Sequence, residues 1–470
     1  MHLPPSVATF LTVAFILFLY RRDIRERPNV TGALWIPLIW FLIICSRQPS
    51  EWLNLFGLHA GGVTLEEGSP FDACVYFGLI AAGAYVLSKG RVHLSEIIRD
   101  NQWFAIFFIY CFLAIFWSDF PFVAFKRWIK VLGHPIMALI ILTEPDPREA
   151  LVRLMKRCAY IIVPVSILFI KYFPQWGRGF DAWTGASFNT GITTNKNGLG
   201  CDCLILGYFL FWHVLQTWRT ERGKPRRNEL FLTGGFLLAI WWLFSMAHSS
   251  TSLVSLFIGL LIVVILGRRF VDKRLIGTYL IIAAIALMIA EWGFDIYGSA
   301  IRLLGKDPTL TDRTLLWGEL LKVKINPLFG AGFESFWLGD RFRDFADSRW
   351  WQPNQAHNGY LETYLNLGLV GLVLLAGLLI ATFWKSRREL LTNFQYGRLR
   401  LGFLVAVIAY NWTEAAFKNI STIWFVFCII ALDYRQSEFE SFQRIQTFRP
   451  DEDEKLVYAE GEIDAKSSDF

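Results

Sequence analysis

Charge is scarce in this sequence. Asp, Glu, Lys and Arg make up only 18% of its 470 residues, against 54% hydrophobic and 16% aromatic. That balance excludes an ordinary soluble domain and points to a chain that crosses a membrane many times. Metal-ligand spacing is also missing. The seven cysteines lie in or beside apolar runs, and none is spaced with histidines as a ligand set. No carboxylate cluster takes their place. Cys201-Asp202-Cys203 reads as small, polarizable core residues, and no disulfide framework is indicated. The first apolar run has its arginines after it rather than before it, the reverse of a cleavable signal peptide, which puts the N-terminus outside.

What is abundant is apolar length. Runs able to cross a hydrocarbon core of about 30 Å are Leu3–Tyr20, Phe71–Leu87, Gly198–Trp218, Leu230–Met246, Ser252–Leu266, Leu275–Ala290 and Tyr360–Trp384. Shorter or more polar runs are Thr31–Cys45, Trp103–Trp117, Val131–Thr143, Tyr160–Phe173, Leu401–Thr413 and Ile420–Leu432. Together they predict an all-α polytopic integral membrane protein with about 12–13 transmembrane helices.

Lys and Arg cluster in Arg21–Arg27, Lys89–Arg99, Arg148–Arg157, Arg219–Arg227, Arg268–Arg274 and Lys385–Arg400. These fall at alternate connections, as the positive-inside rule asks of cytoplasmic loops. The net charge of +6 is therefore topology and contact with membrane lipids, not a nucleic-acid surface. Four segments follow: N-terminal spans over 1–290, a long outer loop over 291–358, C-terminal spans over 359–434, and a disordered cytoplasmic tail over 435–470 with its acidic stretch Asp451–Lys455.

A connection as long as 291–358 is functional or disordered, and its content argues for a folded cap. Thr311 and Asp312 supply a helix start, Leu316, Leu320 and Val323 an apolar stripe, Asn326-Pro327 a stop, and Gly330 and Gly332 a turn. Of its arginines (Arg302, Arg313, Arg341, Arg343 and Arg349), Arg313 has the best context. It opens the amphipathic helix beside Trp317, where a guanidinium fork can hold a phosphate through two hydrogen bonds. The loop ends on His357, at the mouth of the next span. An imidazole there can exchange a proton with a hydroxyl at neutral pH. Gly359 permits close backbone approach, Glu362 lies one turn on and can orient the ring, and Gly368 and Gly371 suit tight helix packing. A histidine that merely caps a span is the plainer alternative.

These residues carry a resemblance. His357-Asn358, followed nine residues on by Gly368-Leu369-Val370-Gly371, resembles the signature of the bacterial O-antigen ligase and polymerase family, including its exopolysaccharide-polymerase branch. Arg313-Thr314 through Trp317 is similar to that family's Arg-Thr-x-x-Trp element, and Asn326–Phe336 (NPLFGAGFESF) to its Pro-x-x-Gly-x-Gly-Phe element. Trp117–Pro121 (WSDFP) and Thr194–Gly200 (TNKNGLG) resemble landmarks upstream. One stretch departs: Ala247–Ser252 (AHSSTS) has Ser250 where many relatives carry a basic residue, so that His248, when protonated, or no cation at all, fills the place.

The resemblance implies a glycosyltransferase of the bacterial inner membrane, with its active site facing the periplasm beneath the loop as a lid. Such an enzyme moves a glycan from undecaprenyl diphosphate to an acceptor sugar hydroxyl, without metal, cofactor or nucleotide sugar. It implies His357 as base or orienting group for the acceptor hydroxyl and Arg313 as diphosphate clamp; beside them Glu362 is expected as helper and Lys196, Asn358, His248 and Arg302 as substrate contacts. Polysaccharide export machinery is an implied partner. Polymerase and ligase share this chemistry, and the resemblance of WSDFP and TNKNGLG to the exopolysaccharide branch favours a polymerase. A ligase acting on lipid A core or protein, a transporter or flippase of the same lipid-linked glycan, and a scaffold without chemistry are the alternatives. No internal repeat is visible between the halves, and the elaborate segment is an outer loop, both of which tell against the transporter.

Overall fold

A computed structural model describes residues 3–58, 68–90, 92–180, 185, 187–220, 222–294, 313–347, 354–417 and 420–434. Arg302, Arg349 and the acidic tail lie outside the described residues. The chain is an all-α polytopic membrane protein. Its helices are α1 (Pro5–Arg25), α2 (Trp35–Ile44), α3 (Pro49–Leu55), α4 (Pro70–Lys89), α5 (Leu94–Asp100), α6 (Gln102–Leu113), α7 (Pro121–Leu142), α8 (Pro147–Tyr172) and α9 (Pro174–Gly177). They continue with α10 (Lys196–Thr220), α11 (Gly223–Ala247), α12 (Ser250–Leu266), α13 (Ile276–Phe294), α14 (Arg313–Leu320), α15 (Gly339–Asp347), α16 (Gly359–Thr392), α17 (Phe394–Thr413) and α18 (Thr422–Ala431). Among the described residues the only sheet is a two-stranded antiparallel ribbon, β1 (Arg178–Phe180) with β2 (Ser187–Asn189).

Every apolar run named above falls on a helix. By length and composition alone, five helices among the described residues can cross a membrane, or six if the pair Gly32–Ile44 and Pro49–Leu55, bent by 65°, is one broken span. Helices α6, α12 and α18 are apolar but shorter. Proline sets several starts, at Pro5, Pro49, Pro70, Pro121 and Pro147; at a first helical position its fixed φ fits and its missing N–H is not needed. Asp146 adds a cap to α8, accepting from the backbone N–H of Arg148 and Glu149.

Helix α10 is the hub. It packs on α8, α11, α12, α17 and α18 and is buried along most of its length. Glycine brings α12 and α17 together: a Cβ on Gly402 would lie 3.0 Å from the Gly259 carbonyl and 2.5 Å from the Tyr208 hydroxyl. By contrast α13 leaves Ile281, Ile282, Ile285, Met288 and Ile289 exposed, an apolar surface suited to lipid.

The folded segment that precedes His357 keeps the planned stripe. Leu316 and Leu320 are buried in a small core with Ala331, Phe336, Phe345, Ala356 and Leu365, and Val323 packs on it. The stop differs from expectation: α14 ends at Leu320, and Asn326 instead forms a turn, its Oδ1 accepting from Leu328 N and Phe329 N.

The expectation for Gly368 is corrected. It does not serve packing within a straight helix but breaks α16, with φ of 65° and ψ of −165°. The break frees backbone groups, and the glycine-rich loop satisfies them. Leu369 N and Val370 N donate to the carbonyls of Pro327 and Leu328, while Ala331 N and Gly332 N donate to those of Leu365 and Asn366. The hydroxyl of Tyr110 takes the Leu367 carbonyl. A Cβ on Gly368 would sit 2.2 Å from Leu328 O, and one on Gly330 2.5 Å from the Asn366 carbonyl carbon. Two glycine motifs far apart in sequence thus form one interlock, with non-helical backbone tolerated because protein covers it.

Candidate active site

The interlock fixes the outer part of α16, and His357 precedes it. Ala356 is fully buried and held from both sides: its N–H donates to Glu362 Oε2 at 2.8 Å, and its carbonyl accepts from Trp317 Nε1 at 2.8 Å. Asn358 caps α16, its Oδ1 accepting from Tyr360 N and Leu361 N, and its Nδ2 donates to the Trp412 carbonyl at 3.1 Å. Between these anchors His357 takes a left-handed conformation with φ of 49°. That conformation is uncommon outside glycine and persists only where surroundings hold it. Gly359 follows against α17, where a Cβ would meet Asn411 Oδ1 at 2.1 Å.

The imidazole Nδ1 lies 3.3 Å from Glu414 Oε2. Arg313 approaches the same carboxylate, with Nη2 2.8 Å from Oε1, and its Nη1 donates to the Thr413 carbonyl. Asn197, in the first turn of α10, donates to Oε1 at 3.0 Å. Glu414 ends α17 and is buried, whereas Arg313 and His357 keep 16% and 26% of their side chains exposed. Burial alone would push the Glu414 carboxyl up; the hydrogen bond from His357 and the charge of Arg313 outweigh it and hold the group below its ordinary range. Gln355 Nε2 also lies 3.3 Å from Nδ1; in the tautomer whose Nδ1–H donates to Glu414, Nε2 is the nitrogen with a free lone pair.

Other predicted residues gather round this centre. Lys196 opens α10, half-buried, with Nζ 5.4 Å from the centroid of Phe188. His248 is exposed in the turn between α11 and α12, also left-handed at φ 51°. That turn touches the centre through Thr251, whose hydroxyl lies 2.7 Å from that of Thr413. Ser249 lies over Gly200, where a Cβ would come within 2.4 Å of it. Trp317 and Trp412 meet edge to face over the same end, with centroids 6.5 Å apart.

Glu362 has a different place from the one expected. It is 2% exposed, and its carboxylate is occupied by Trp337 Nε1 at 2.7 Å and by Ala356 N. It positions the backbone before His357; the ring is oriented by Glu414. Sequence reasoning missed Glu414 and Asn197, although a carboxylate in the short link between the last two apolar runs was a signal. Among the described residues no group of three or more His, Cys, Asp or Glu is placed to hold a metal ion.

The landmarks upstream come to this same end of the bundle. Ser118 of the WSDFP stretch meets Ser335 at 2.6 Å, and Phe333 N donates to the Ala114 carbonyl. Residues 234–376 match the family model described as O-Antigen ligase. Over that stretch the chain is similar to the O-antigen ligases. It is also 29% identical, over 312 residues, to the exopolysaccharide production protein ExoQ of Rhizobium meliloti (strain 1021), covering 62% of this chain. The match spans 66% of that relative, just under two thirds of its length. The O-antigen ligase match contains Arg313, His357 and the glycine interlock; Asn197 and Glu414, which complete the centre, lie on either side of it.

Proposed function

We propose that the chain is a glycosyltransferase that extends a polysaccharide from glycan carried on undecaprenyl diphosphate. The observation that carries this reading is the single buried carboxylate, Glu414, shared by Arg313 and His357. It orients one group that can take a proton and one that can bind phosphate.

The acceptor sugar hydroxyl lies against His357 Nε2 and attacks the anomeric carbon of the donor. The new C–O bond forms as the bond from that carbon to the diphosphate oxygen breaks. The hydroxyl proton passes to Nε2, and the imidazolium is stabilised by Glu414. Negative charge gathers on the leaving diphosphate. Two of the five N–H donors of Arg313 are engaged by Glu414 and Thr413, and the others face that charge. Lys196, at the N-terminus of α10, adds a second cation where helix N–H groups favour anions. Asn358 and His248 border the acceptor side. No step in this scheme uses a metal or a nucleotide sugar.

The basic connections at the far end of the bundle support a periplasmic site in the inner membrane, with the loop 291–358 as its lid. Transfer of product to export machinery belongs to the same reading. A polymerase is favoured over a ligase because the relative is an exopolysaccharide production protein.

The test replaces the gene in its host with His357→Ala, checks membrane abundance, and extracts lipid-linked glycan and surface polymer. Accumulation of single lipid-linked repeats with loss of polymer is expected; long lipid-linked chains would make the protein a ligase instead. Unchanged polymer at normal abundance would overturn the enzyme reading.

A further inference from the structure

We infer that a second cavity, apart from the His357 centre, is a glycan-binding subsite that grips the chain being extended. It has a volume of about 320 Å³, in the range of small-molecule sites of about 300–1,000 Å³. It opens beside the glycine interlock, lined by Trp117, Asp119, Lys324, Asn326 and Arg341.

The chemistry of the lining is that of sugar recognition, and it is held in place. Trp117 is 37% exposed and its indole is fixed by Nε1–H donating to the Phe329 carbonyl at 3.0 Å. A fixed, half-open aromatic face suits the C–H face of a pyranose. Asn326 is exposed; its Oδ1 is committed to two backbone N–H groups, which leaves its amide N–H donors for a hydroxyl. Asp119 Oδ2 pairs with Arg341 Nη2 at 2.7 Å, while Arg341 Nη1 is buried without a hydrogen-bond partner. The ion pair fixes the Arg341 guanidinium at the cavity wall. Lys324 and Arg341 against Asp119 leave one excess positive charge, so the favoured sugar bears a carboxylate.

Position gives the subsite its role, which rests on the glycosyltransferase reading. Its floor at Gly330–Ala331 is bonded to Leu365 and Asn366 of α16. His357 precedes that helix, so the cavity floor meets α16 roughly 10 Å along its axis from the His357 end, at 1.5 Å per residue. A glycan held at Trp117 therefore stays near the transfer centre between additions.

Isothermal titration of the full chain in detergent, with tetragalacturonate and cellotetraose as acidic and neutral probes, reads binding without transfer. Tighter binding of tetragalacturonate is expected, weakened about tenfold in Trp117→Ala and in the surface variant Lys324→Glu. Polymer made by cells carrying Lys324→Glu is expected to be shorter. Failure of both probes to bind, or binding unchanged in both variants, overturns the inference. His357→Ala should bind the probe normally. If it also keeps full transfer, the mechanism at His357 falls while the subsite stands.

Discussion

At the basic end of the bundle, Asp23 is fully enclosed between Arg153 and Arg157, at 2.8 and 2.7 Å. Glu229 receives Arg22, Lys156 and His213 at 2.7–3.0 Å. With Glu26 and Glu149 on Arg153, four carboxylates face four Lys and Arg cations. At the opposite end, Glu414 is the one carboxylate bonded to both Arg313 and His357, and their side chains reach solvent. The first cluster is neutral: Asp23, Glu229, Lys156 and Arg157 are enclosed, and the more exposed Arg22 is matched by Glu26 and Glu229. It ties α1 to α8 and α11 and leaves no cation in excess for an incoming anion. The second has cationic capacity beyond its carboxylate and an open side, which is what a diphosphate needs. Buried ion pairs alone therefore do not mark function; accessibility and charge balance separate a tie from a site.

The sharpest break of this contrast is Asp23→Asn. Leaving Arg153 and Arg157 without their enclosed partner should cost about 3–5 kcal/mol of stability, read as a lower melting temperature in detergent and lower membrane abundance. Turnover per folded molecule should be unchanged; a turnover defect at normal stability would mean that the basic end takes part in function. Glu414→Gln should act chiefly on turnover. With the imidazole no longer oriented toward a charge, transfer should fall about a hundredfold, the lower range for a positioned acid–base group.

Acidity should separate the clusters further. Glu414 has a depressed folded value, so its contribution to stability is complete above the ordinary carboxylate range and disappears as pH falls through the folded value. Stability of the wild type, followed by thermal melts from neutral pH downward, should therefore drop in that acidic window. The Glu414→Gln protein should lack that component of the drop, and an identical profile would refute the ionised, cation-held Glu414.

Gly368→Ala is expected to act on one cluster alone. The residue would need a positive φ, and its Cβ would press on Leu328 O, with backbone strain of order 1–3 kcal/mol. The outer part of α16 must then shift, moving His357 relative to Glu414. Transfer should decline while the Asp23 network keeps its protection in hydrogen exchange; loss of protection there would mean general unfolding.

The helices were legible because lipid imposes a simple code of apolar length, and every run from Leu3–Tyr20 to Ile420–Leu432 met a helix. His357 and Arg313 stood out as candidates from residue type and resemblance, and the fold brings both onto Glu414. Glu362 was placed wrongly in role because helical spacing brings it near His357 in sequence, whereas its carboxylate turns to Trp337 and Ala356. Glu414 and Asn197 were missed because their meeting depends on how α10 and α17 pack, 217 residues apart, which no local pattern encodes. The break at Gly368 was hidden for the same reason, since its partners are carbonyls of a loop some forty residues earlier.

The smallest effect belongs to Asn197. Its amide donates one bond to Glu414 Oε1, an oxygen that Arg313 also holds. Asn197→Ala removes about 1 kcal/mol of neutral-to-charged hydrogen bonding, while the ion pair and the His357 contact remain. Transfer should fall about fivefold, with stability nearly unchanged. A double variant with Glu414→Gln should add little to the loss from Glu414→Gln alone, because both changes act on the same carboxylate. Full additivity in transfer assays would mean instead that Asn197 meets the substrate directly, and the first turn of α10 would then join the binding surface rather than support it.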